Sequence, residues 1–405
     1  MKLLKKMYTC KSLKYFYKKY KTILCFSIIA GILLIIYKKV PQNVPQNVEG
    51  FLPEPEQNDS IFVSIASYRD EECPKTIINL YKKAKNPRNI FVGICQQNKE
   101  GDTDCLDNLL KAHSNIIPVH NVSIIRIPHS AAMGCAYARF LCSTLWNKQT
   151  FFLQIDSHTQ FTQDWDDICI ESVKKGEQLL PKDNDLNGEV VLSYFPKANY
   201  NKDENVDKNI DDTLPYTCKV NVRENGVIMG GALETSHHKK MFPLIIKSVS
   251  GGMMFLRSNF LKTIQFDPLL FYIDSEEVLF SARLWTHGYT IIAPMKNVCF
   301  HLYNDQNREG KGYIKRSLVW DDNKGETIDI LKKGSEDRLR HLLGIIPIEE
   351  VPIDFRLNIE KYGMGQKRSL QDYYQFLAVD KINKTATDHC AYHYSLHTKS
   401  WIKDE

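Results

Sequence analysis

An aspartate and a histidine lie two residues apart in the stretch FFLQIDSHTQFTQDWDD, residues 151–167. Asp156 and His158 directly follow an apolar run that is typical of a buried strand. Residues i and i+2 of an extended segment face the same side, so this carboxylate and this imidazole can bind one divalent ion. Oxygen with nitrogen ligands suits Mn²⁺, with Mg²⁺ or Zn²⁺ as alternatives, and two protein ligands leave coordination positions open for a diphosphate. An Asp-x-His pair alone is also explained by a cap or a surface ion pair, so its position in the fold has to support the metal site.

Apolar runs and amphipathic segments alternate through the first half of the chain after residue 60. The predicted strands are Ile61–Ala66, Asn89–Cys95, Val122–Ile127 and Thr150–Ile155. The predicted helices are residues 72–87, Asp104–His113 and Met133–Trp146. This alternation predicts an α/β fold with a mostly parallel sheet flanked by helices. Ligands of such sheets bind at the carboxyl ends of the strands, which is where residues 68–70 and 156–158 fall.

The second half of the chain has a weaker pattern. Residues 181–247 are rich in Asn, Asp and Lys and are predicted to be loops over the open edge of the sheet. Ordered structure is expected again at residues 248–261, 272–294 and 297–303. In the second of these, Asp274 is expected to cap a helix that has Glu277 at its third position and Gly288 at its end. Residues 306–405 are predicted to be irregular, apart from a helix near residues 369–378.

The charge is unevenly distributed along the 405 residues. The net charge is +5, but residues 1–39 contain ten lysines and no acid, which leaves about −5 on the rest of the chain. A nucleic-acid-binding surface needs clustered basic charge on the folded body. We therefore expect no nucleic-acid partner.

The N-terminal residues are predicted to anchor the protein in a membrane. The uncharged apolar run at residues 22–37 is flanked by lysines, eight of them before it and two after it. An uncleaved signal-anchor agrees with this pattern, and a cleaved signal peptide is the alternative. The prediction is a single-pass type II membrane protein with a cytoplasmic tail (residues 1–21), a Pro/Gln/Asn-rich stem (residues 38–59) and a body in the lumen of the Golgi or secretory pathway. If the chain is viral, the anchoring membrane would be that of the host. In that compartment Cys95 and Cys105 could close a short loop, although the sequence leaves the disulfide pairing open.

Five segments together resemble one enzyme family. They are IFVSIASYRDEEC (61–73), GCAYARFLCSTLW (134–146), FLQIDSHTQFTQDWD (152–166), GGMMF (251–255) and FHLY (300–303). They resemble the polypeptide and hydroxyproline α-N-acetylglucosaminyltransferases, which are distantly similar to the mucin-type polypeptide GalNAc-transferases. The resemblance implies a GT-A catalytic domain at residues 60–305, followed by an extension of unknown role at residues 306–405. It also implies a UDP-GlcNAc donor, a divalent cation such as Mn²⁺, retention of the anomeric configuration and a protein acceptor.

The resemblance also assigns candidate site residues. The implied metal ligands are Asp156, His158 and His301. The implied nucleotide and donor contacts are Ser67, Tyr68, Arg69, Asp70, Arg139, Gly251 and Gly252. The implied groups near the donor sugar and acceptor are Glu276, Glu277 and Trp165.

Simpler interpretations remain open for several of these residues. His301 could be a buried core histidine, Glu277 a helix cap, and Trp165 a core anchor for the helix that it begins. No residue is compelling as a nucleophile, so transfer on the front face of the sugar is the expected mechanism. The resemblance leaves the acceptor open between Ser/Thr and hydroxyproline. Other hypotheses are a different UDP-sugar (GalNAc, Gal or Glc) or a non-catalytic, membrane-tethered glycan- or protein-binding homologue.

Overall fold

A computed structural model gives the structure of the protein. It describes residues 59–106, 109–180, 188–198, 213–230, 233–236, 242–303, 316–390, 392–395 and 398–403. The predicted tail, membrane anchor and stem lie outside the described residues, apart from residue 59. Among the described helices, none combines the length and the apolar character that a membrane span requires.

A seven-stranded mixed sheet forms the centre of the fold. Its strands are β1 (Ile61–Tyr68), β2 (Ile90–Asn98), β3 (Val122–Pro128), β4 (Phe151–Asp156), β6 (Val190–Ser193), β12 (Met253–Arg257) and β13 (Thr290–Ile292). Their order across the sheet is β13-β6-β12-β4-β1-β2-β3. The four strands predicted in the first half of the chain are confirmed, and they pair in parallel. Strands β1 and β4 are almost wholly buried, because helices cover both faces of a parallel sheet.

Strand β12 is the exception in direction. It is antiparallel to both of its neighbours, β4 and β6. Its first residue, Met253, therefore pairs with Ile155 near the carboxyl end of β4. This reversal places the glycines that precede β12 at the same edge of the sheet as Asp156.

Helices cover the sheet and complete the α/β architecture. They are α1 (Cys73–Lys83), α2 (Leu109–Ala112), α3 (Cys135–Ser143), α4 (Trp165–Leu179) and α5 (Glu276–Thr286). Short 3₁₀ turns lie at Pro87–Asn89, Val119–Asn121, His129–Ala131, Ser258–Lys262, Ile348–Glu350, Ile353–Phe355 and Glu360–Tyr362. The prediction that Asp274 caps α5 is wrong. The N-cap is Ser275, and Asp274 instead forms an ion pair with Arg223 at 2.8 Å.

The prediction of loops throughout residues 181–247 is also wrong where this region is described. Strand β6 enters the main sheet between β12 and β13. The other short strands are β7 (Lys197–Ala198), β8 (Leu214–Thr217), β9 (Val220–Val222), β10 (Ile228–Gly230) and β11 (Leu233–Ser236). The four residues of β6 are buried by their neighbours in the sheet, which the surrounding polar sequence does not reveal.

A small second sheet lies beside the main one. It contains β5 (Thr159–Phe161), β14 (Cys299–His301) and β7, in the order β5-β14-β7. In the antiparallel β5–β14 ladder, His301 pairs with Thr159. Two histidines that are far apart in the sequence thereby become neighbours.

Residues after 316 contain more regular structure than the sequence predicted. They form α6 (Val319–Asp322), the 17-residue α7 (Glu326–Leu342), α8 (Leu370–Leu377) and the short strands β15 (Val379–Asp380), β16 (Thr385–Ala386), β17 (Tyr392–Ser395) and β18 (Ser400–Lys403). The helix expected near residues 369–378 is confirmed, and Ser369 begins it with a capping box. Helix α7 is fixed to the body by a buried ion pair of 2.7 Å between Arg338 and Asp267.

Two disulfides link distant parts of the described chain. Cys73 pairs with Cys105, and Cys218 pairs with Cys390. The pairing of Cys105 with Cys95 that the sequence left open does not occur, because Cys105 pairs with Cys73. Cys95 is a buried free thiol.

Candidate active site

The side chains of Asp156, His158 and His301 meet at the carboxyl end of β4. Nε2 of His301 lies 3.0 Å from Oδ2 of Asp156, and the centroids of the two imidazole rings are 4.4 Å apart. One ligand atom from each of the three residues lies within 4.8 Å of the others. One carboxylate and two imidazoles at this spacing form a ligand set that fits a single divalent ion.

Asp70 holds His158 in a fixed orientation. Its carboxylate is 3% exposed, and Oδ2 lies 2.6 Å from Nδ1 of His158 and accepts a 2.7 Å hydrogen bond from the Ser157 hydroxyl. Burial alone would raise the pKa of Asp70, but hydrogen bonding to His158 and its charge lower it to about 2. An ionised carboxylate on Nδ1 leaves Nε2 of His158 as the ligand atom, as is common around metal-binding histidines. Asp70 thus acts on His158, a contact that the resemblance did not indicate.

Arg139 connects the candidate metal site to the start of α5. This side chain on α3 is 7% exposed, and Nη1 donates to Oε1 of Glu276 at 2.6 Å. Nη2 donates to Oδ1 of Asp156 at 3.3 Å and to the Gly251 carbonyl at 3.2 Å. Burial raises the pKa of Asp156, but its hydrogen bond to His301 and the charges of His301 and Arg139 more than offset this and hold the pKa well below its usual range. Asp156 is therefore an anion at neutral pH, as a metal ligand must be.

Glu276 and Glu277 have different surroundings, although they are adjacent in the sequence. Glu276 forms an ion pair with Arg139, whereas Oε1 of Glu277 accepts a hydrogen bond from the Gly251 backbone N–H. Burial, followed by the charge of Glu276, raises the pKa of Glu277 to about 7. Glu277 makes no capping hydrogen bond, so the cap interpretation is not supported. Near neutral pH, Glu277 can gain or lose a proton.

Gly251 and Gly252 pass very close to these charged groups. A Cβ atom on Gly251 would lie 2.5 Å from Nη2 of Arg139 and 2.8 Å from Oε1 of Glu277. A Cβ atom on Gly252 would lie 3.3 Å from Oδ2 of Asp156. The absence of a side chain at these two positions is what lets the backbone approach the site.

The residues that end β1 divide between the site and the protein interior. Ala66 and Tyr68 line a cavity of about 320 Å³ that also contacts Asp156 and His158. The Ser67 side chain is fully buried and does not line that cavity, because alternate residues of a strand face opposite sides of the sheet. Arg69 does not line it either and forms ion pairs with Asp102 at 2.9 Å and Asp322 at 2.8 Å.

Sequence reasoning missed the segment from Arg316 to Trp320, which forms another wall of this cavity. The Tyr68 hydroxyl donates to Asp322 at 2.7 Å, which fastens this segment to the end of β1. Nη1 of Arg316 is buried and has no hydrogen-bond partner among the described residues, and Asp70 and Asp156 act on Arg316 electrostatically. This cation lines the same cavity as Asp156 and His158. No local pattern in the sequence signals it, because its position depends on the distant contact with Tyr68.

Trp165 is part of the core. Its side chain is fully buried, its indole N–H donates to the Leu80 carbonyl at 3.0 Å, and its ring lies 4.5 Å from that of Phe161. The ring is not exposed to solvent in this position. The alternative interpretation of Trp165, an anchor for the helix that it begins, agrees with the structure.

Several solved glycosyltransferase structures are similar to the chain at low sequence identity. The structure of GalNAc-T7 with UDP, GalNAc and Mn²⁺ is 13% identical with a TM-score of 0.48, and the match covers 79% of this chain but only 57% of GalNAc-T7. The mannosyltransferase PcManGT from Pyrobaculum calidifontis with GDP-Man and Mn²⁺ is 13% identical with a TM-score of 0.40, covering 80% of this chain and 82% of PcManGT. S. aureus TarS 1-349 with UDP-GlcNAc is 12% identical with a TM-score of 0.38, covering 80% and 81%.

No curated protein matches the chain in sequence. The family model described as "Glycosyltransferase (GlcNAc)", in contrast, matches residues 60–118 and 109–383, which is most of the chain. The protein therefore belongs to the glycosyltransferase (GlcNAc) family and is a glycosyltransferase.

Proposed function

We propose that the protein transfers N-acetylglucosamine from UDP-GlcNAc to a hydroxyl group of a protein acceptor, with retention of configuration and with a divalent cation, preferably Mn²⁺. The observation that carries this proposal is the convergence of Asp156, His158 and His301 within 4.8 Å at the edge of the sheet. The family supports the sugar. The specific likeness to polypeptide and hydroxyproline transferases, the GT-A fold and the protein acceptor rest on the sequence resemblance.

The charges around the proposed metal site suit a leaving diphosphate. When bound, the cation supplies Lewis-acid stabilisation of the negative charge that develops on the leaving group. Arg316 lies beside the same cavity and adds positive charge, and Asp70 fixes the ring of His158. Arg139 holds Glu276, and the Gly251 N–H holds Glu277. Carboxylates that are engaged in this way suit the orientation of the sugar better than nucleophilic attack on it. Front-face transfer agrees with this arrangement.

We also propose that residues 22–37 anchor the protein as a type II membrane protein, with the tail at residues 1–21 in the cytoplasm, the stem at residues 38–59, and the body in the secretory pathway. The lysine distribution of the sequence supports this orientation. The proposed catalytic region starts at residue 60. The boundary at residue 305 stays a prediction, and the segment from Arg316 to Trp320, which lies beyond it, belongs to the proposed site.

A donor screen tests the proposed reaction. The full-length protein, purified in detergent, is incubated with UDP-GlcNAc, UDP-GalNAc, UDP-Gal or UDP-Glc, with Mn²⁺ or with EDTA, and released UDP is measured. We expect Mn²⁺-dependent turnover that is fastest with UDP-GlcNAc. A preference for another donor would correct the sugar, and the absence of turnover with every donor would refute the enzymatic proposal.

Replacement of one metal ligand tests the site itself. We expect Asp156→Ala to abolish Mn²⁺ binding, measured by titration calorimetry, and to lower turnover on the order of 10³-fold. The control is Asp167→Ala, which removes a nearby surface carboxylate that pairs with Lys85 and should leave both quantities unchanged. Unaltered Mn²⁺ binding in Asp156→Ala would show that the ion binds elsewhere.

A further inference from the structure

A second groove meets the candidate metal site at His158. It has a volume of about 450 Å³ and runs along α1, and we name it the α1 groove. Seven positions of α1 or its N-cap line it, numbers 72, 75, 76, 78, 79, 82 and 83, which share one broad face of the helix. The opposite wall includes Thr159 and Gln160 of β5. His158 lines both the groove and the site cavity. A peptide bound in the groove would therefore extend to the candidate site.

The α1 groove carries an excess of positive charge. Its lining includes three lysines, Lys75, Lys82 and Lys83, and also His113, which directly follows α2. The acidic residue in the lining is Glu72, which forms an ion pair with Lys75 at 2.7 Å. The chain beyond residue 39 has a net charge of about −5, so this basic groove contrasts with the body that carries it. Charge complementarity therefore favours an anionic occupant.

The shape of the α1 groove suits an extended peptide. The 11 residues of α1 correspond to a length of about 16 Å, which accommodates about five residues of extended chain. The backbone N–H groups of Thr159 and Phe161 already donate to Thr76 at 3.0 Å and to Asn79 at 2.6 Å. These two groups of β5 are therefore not available to pair with an added strand. Recognition in the groove consequently depends on side chains, above all on the lysines.

We propose that the α1 groove binds an acidic stretch of the protein acceptor that lies next to the hydroxyl to be modified. This inference rests on the proposed function, because it names the substrate class of that site. An acidic flank would be held by the lysines of α1 and would place the neighbouring hydroxyl near the donor. The acceptors of this enzyme are accordingly proteins with Asp- or Glu-rich sequence beside the modified residue.

Two synthetic peptides test the proposal with the full-length protein. Both contain a central serine, and one has a run of glutamates beside it where the other has glutamines. Binding is measured by fluorescence anisotropy at low ionic strength in the presence of UDP and Mn²⁺. We expect the glutamate peptide to bind about tenfold more tightly, and the difference to shrink as salt is added.

Charge reversal locates the effect in the groove. We expect the double variant Lys82→Glu/Lys83→Glu to reduce the tenfold preference to less than about threefold. Lys262→Glu is the matched control, because Lys262 is an exposed lysine that follows β12. The end of β12 pairs with the start of β4, whereas the candidate site lies at the other end of β4. It should keep the full preference. If the thermal unfolding midpoint of the Glu variant drops, Lys82→Gln/Lys83→Gln replaces it in the test, because it removes the two charges without adding acids to the helix. We expect this Gln variant to show an intermediate preference for the glutamate peptide.

Three results would overturn the inference: equal binding of the two peptides, a preference that survives charge reversal, or a preference lost equally in Lys262→Glu. Sedimentation with phosphatidylserine vesicles that is lost in Lys82→Glu/Lys83→Glu, with equal peptide binding, would assign the groove to a membrane surface instead and would also overturn it. Hydrolysis of UDP-GlcNAc without peptide is measured in parallel. If the donor is hydrolysed while the peptides do not differ, only the groove inference fails. If no donor is hydrolysed, the proposed function fails separately.

Discussion

Replacement of Gly251 with alanine should disable the site without unfolding the protein. The new Cβ atom would lie 2.5 Å from Nη2 of Arg139, whereas an ordinary contact begins at 3.4 Å. The guanidinium group therefore has to move by about 0.9 Å. Its hydrogen bonds to Asp156 at 3.3 Å and to the Gly251 carbonyl at 3.2 Å are already long, so a shift of this size breaks them.

The size of the effect follows from this displacement. A misplacement of about 1 Å in a catalytic site costs about 10²-fold in rate. Of the two hydrogen bonds that break, the one to Asp156 acts on a proposed metal ligand. Loss of one hydrogen bond to a charged group costs about 1.5–3 kcal/mol, and 10²-fold corresponds to about 2.7 kcal/mol, so the two figures agree. Gly252→Ala is the control next to it. Its Cβ atom would lie 3.3 Å from Oδ2 of Asp156, which a shift of about 0.1 Å relieves, so we expect less than about a fivefold loss.

The assay is kcat for Mn²⁺-dependent release of UDP from UDP-GlcNAc, with the thermal unfolding midpoint of each variant measured alongside. Neither glycine has the left-handed backbone that would make alanine strained by itself. We therefore expect Gly251→Ala to stay folded and to lose about 10²-fold in kcat. Activity of Gly251→Ala within about threefold of the wild type, or an equal loss in Gly252→Ala, would refute the role given to Arg139.

Three further predictions concern buried groups. Trp165→Phe should cost about 1–3 kcal/mol of unfolding free energy in urea, while kcat/KM stays within about threefold; a large loss of kcat/KM at unchanged stability would restore an acceptor role. Asp267→Leu should lower the free energy of unfolding by about 3–5 kcal/mol, because it leaves the Arg338 charge buried and without its ion-pair partner. The double variant Asp267→Leu/Arg338→Met should recover part of that loss. Equal free energies of unfolding of the single and double variants would contradict this. Burial lowers the pKa of Lys247 to about 8, although the charge of Asp388 opposes this. Between pH 8 and the usual lysine pKa of 10.5, the unfolded chain binds more protons than the native protein. The free energy of unfolding should therefore rise with pH across this range, by about 3 kcal/mol relative to Lys247→Met. Parallel profiles of unfolding free energy against pH for the two proteins would contradict this.

Much of the candidate site could be predicted from the sequence because its parts lie at the ends of recognisable strands. Asp156 and His158 follow β4 directly, and Asp70 follows β1, so the periodicity that predicts the strands also places these residues at one edge. Arg139 and the glycines before β12 needed the resemblance, since nothing in their local sequence shows that they touch. Ser67 and Trp165, to which the resemblance also gave site roles, have fully buried side chains.

The sequence by itself determined the parallel half of the sheet, because long apolar runs form buried strands whatever follows them. Local motifs also indicated a glycosyltransferase, which the family model confirms. Only the tertiary structure decided the direction of β12, the place of β6 in the sheet and the disulfide partners, because each depends on which distant segments pair. The same is true of the arrival of His301 beside Asp156 and of Arg316 beside the cavity. Such contacts are selected by the packing of the whole chain, and no stretch of neighbouring residues encodes them.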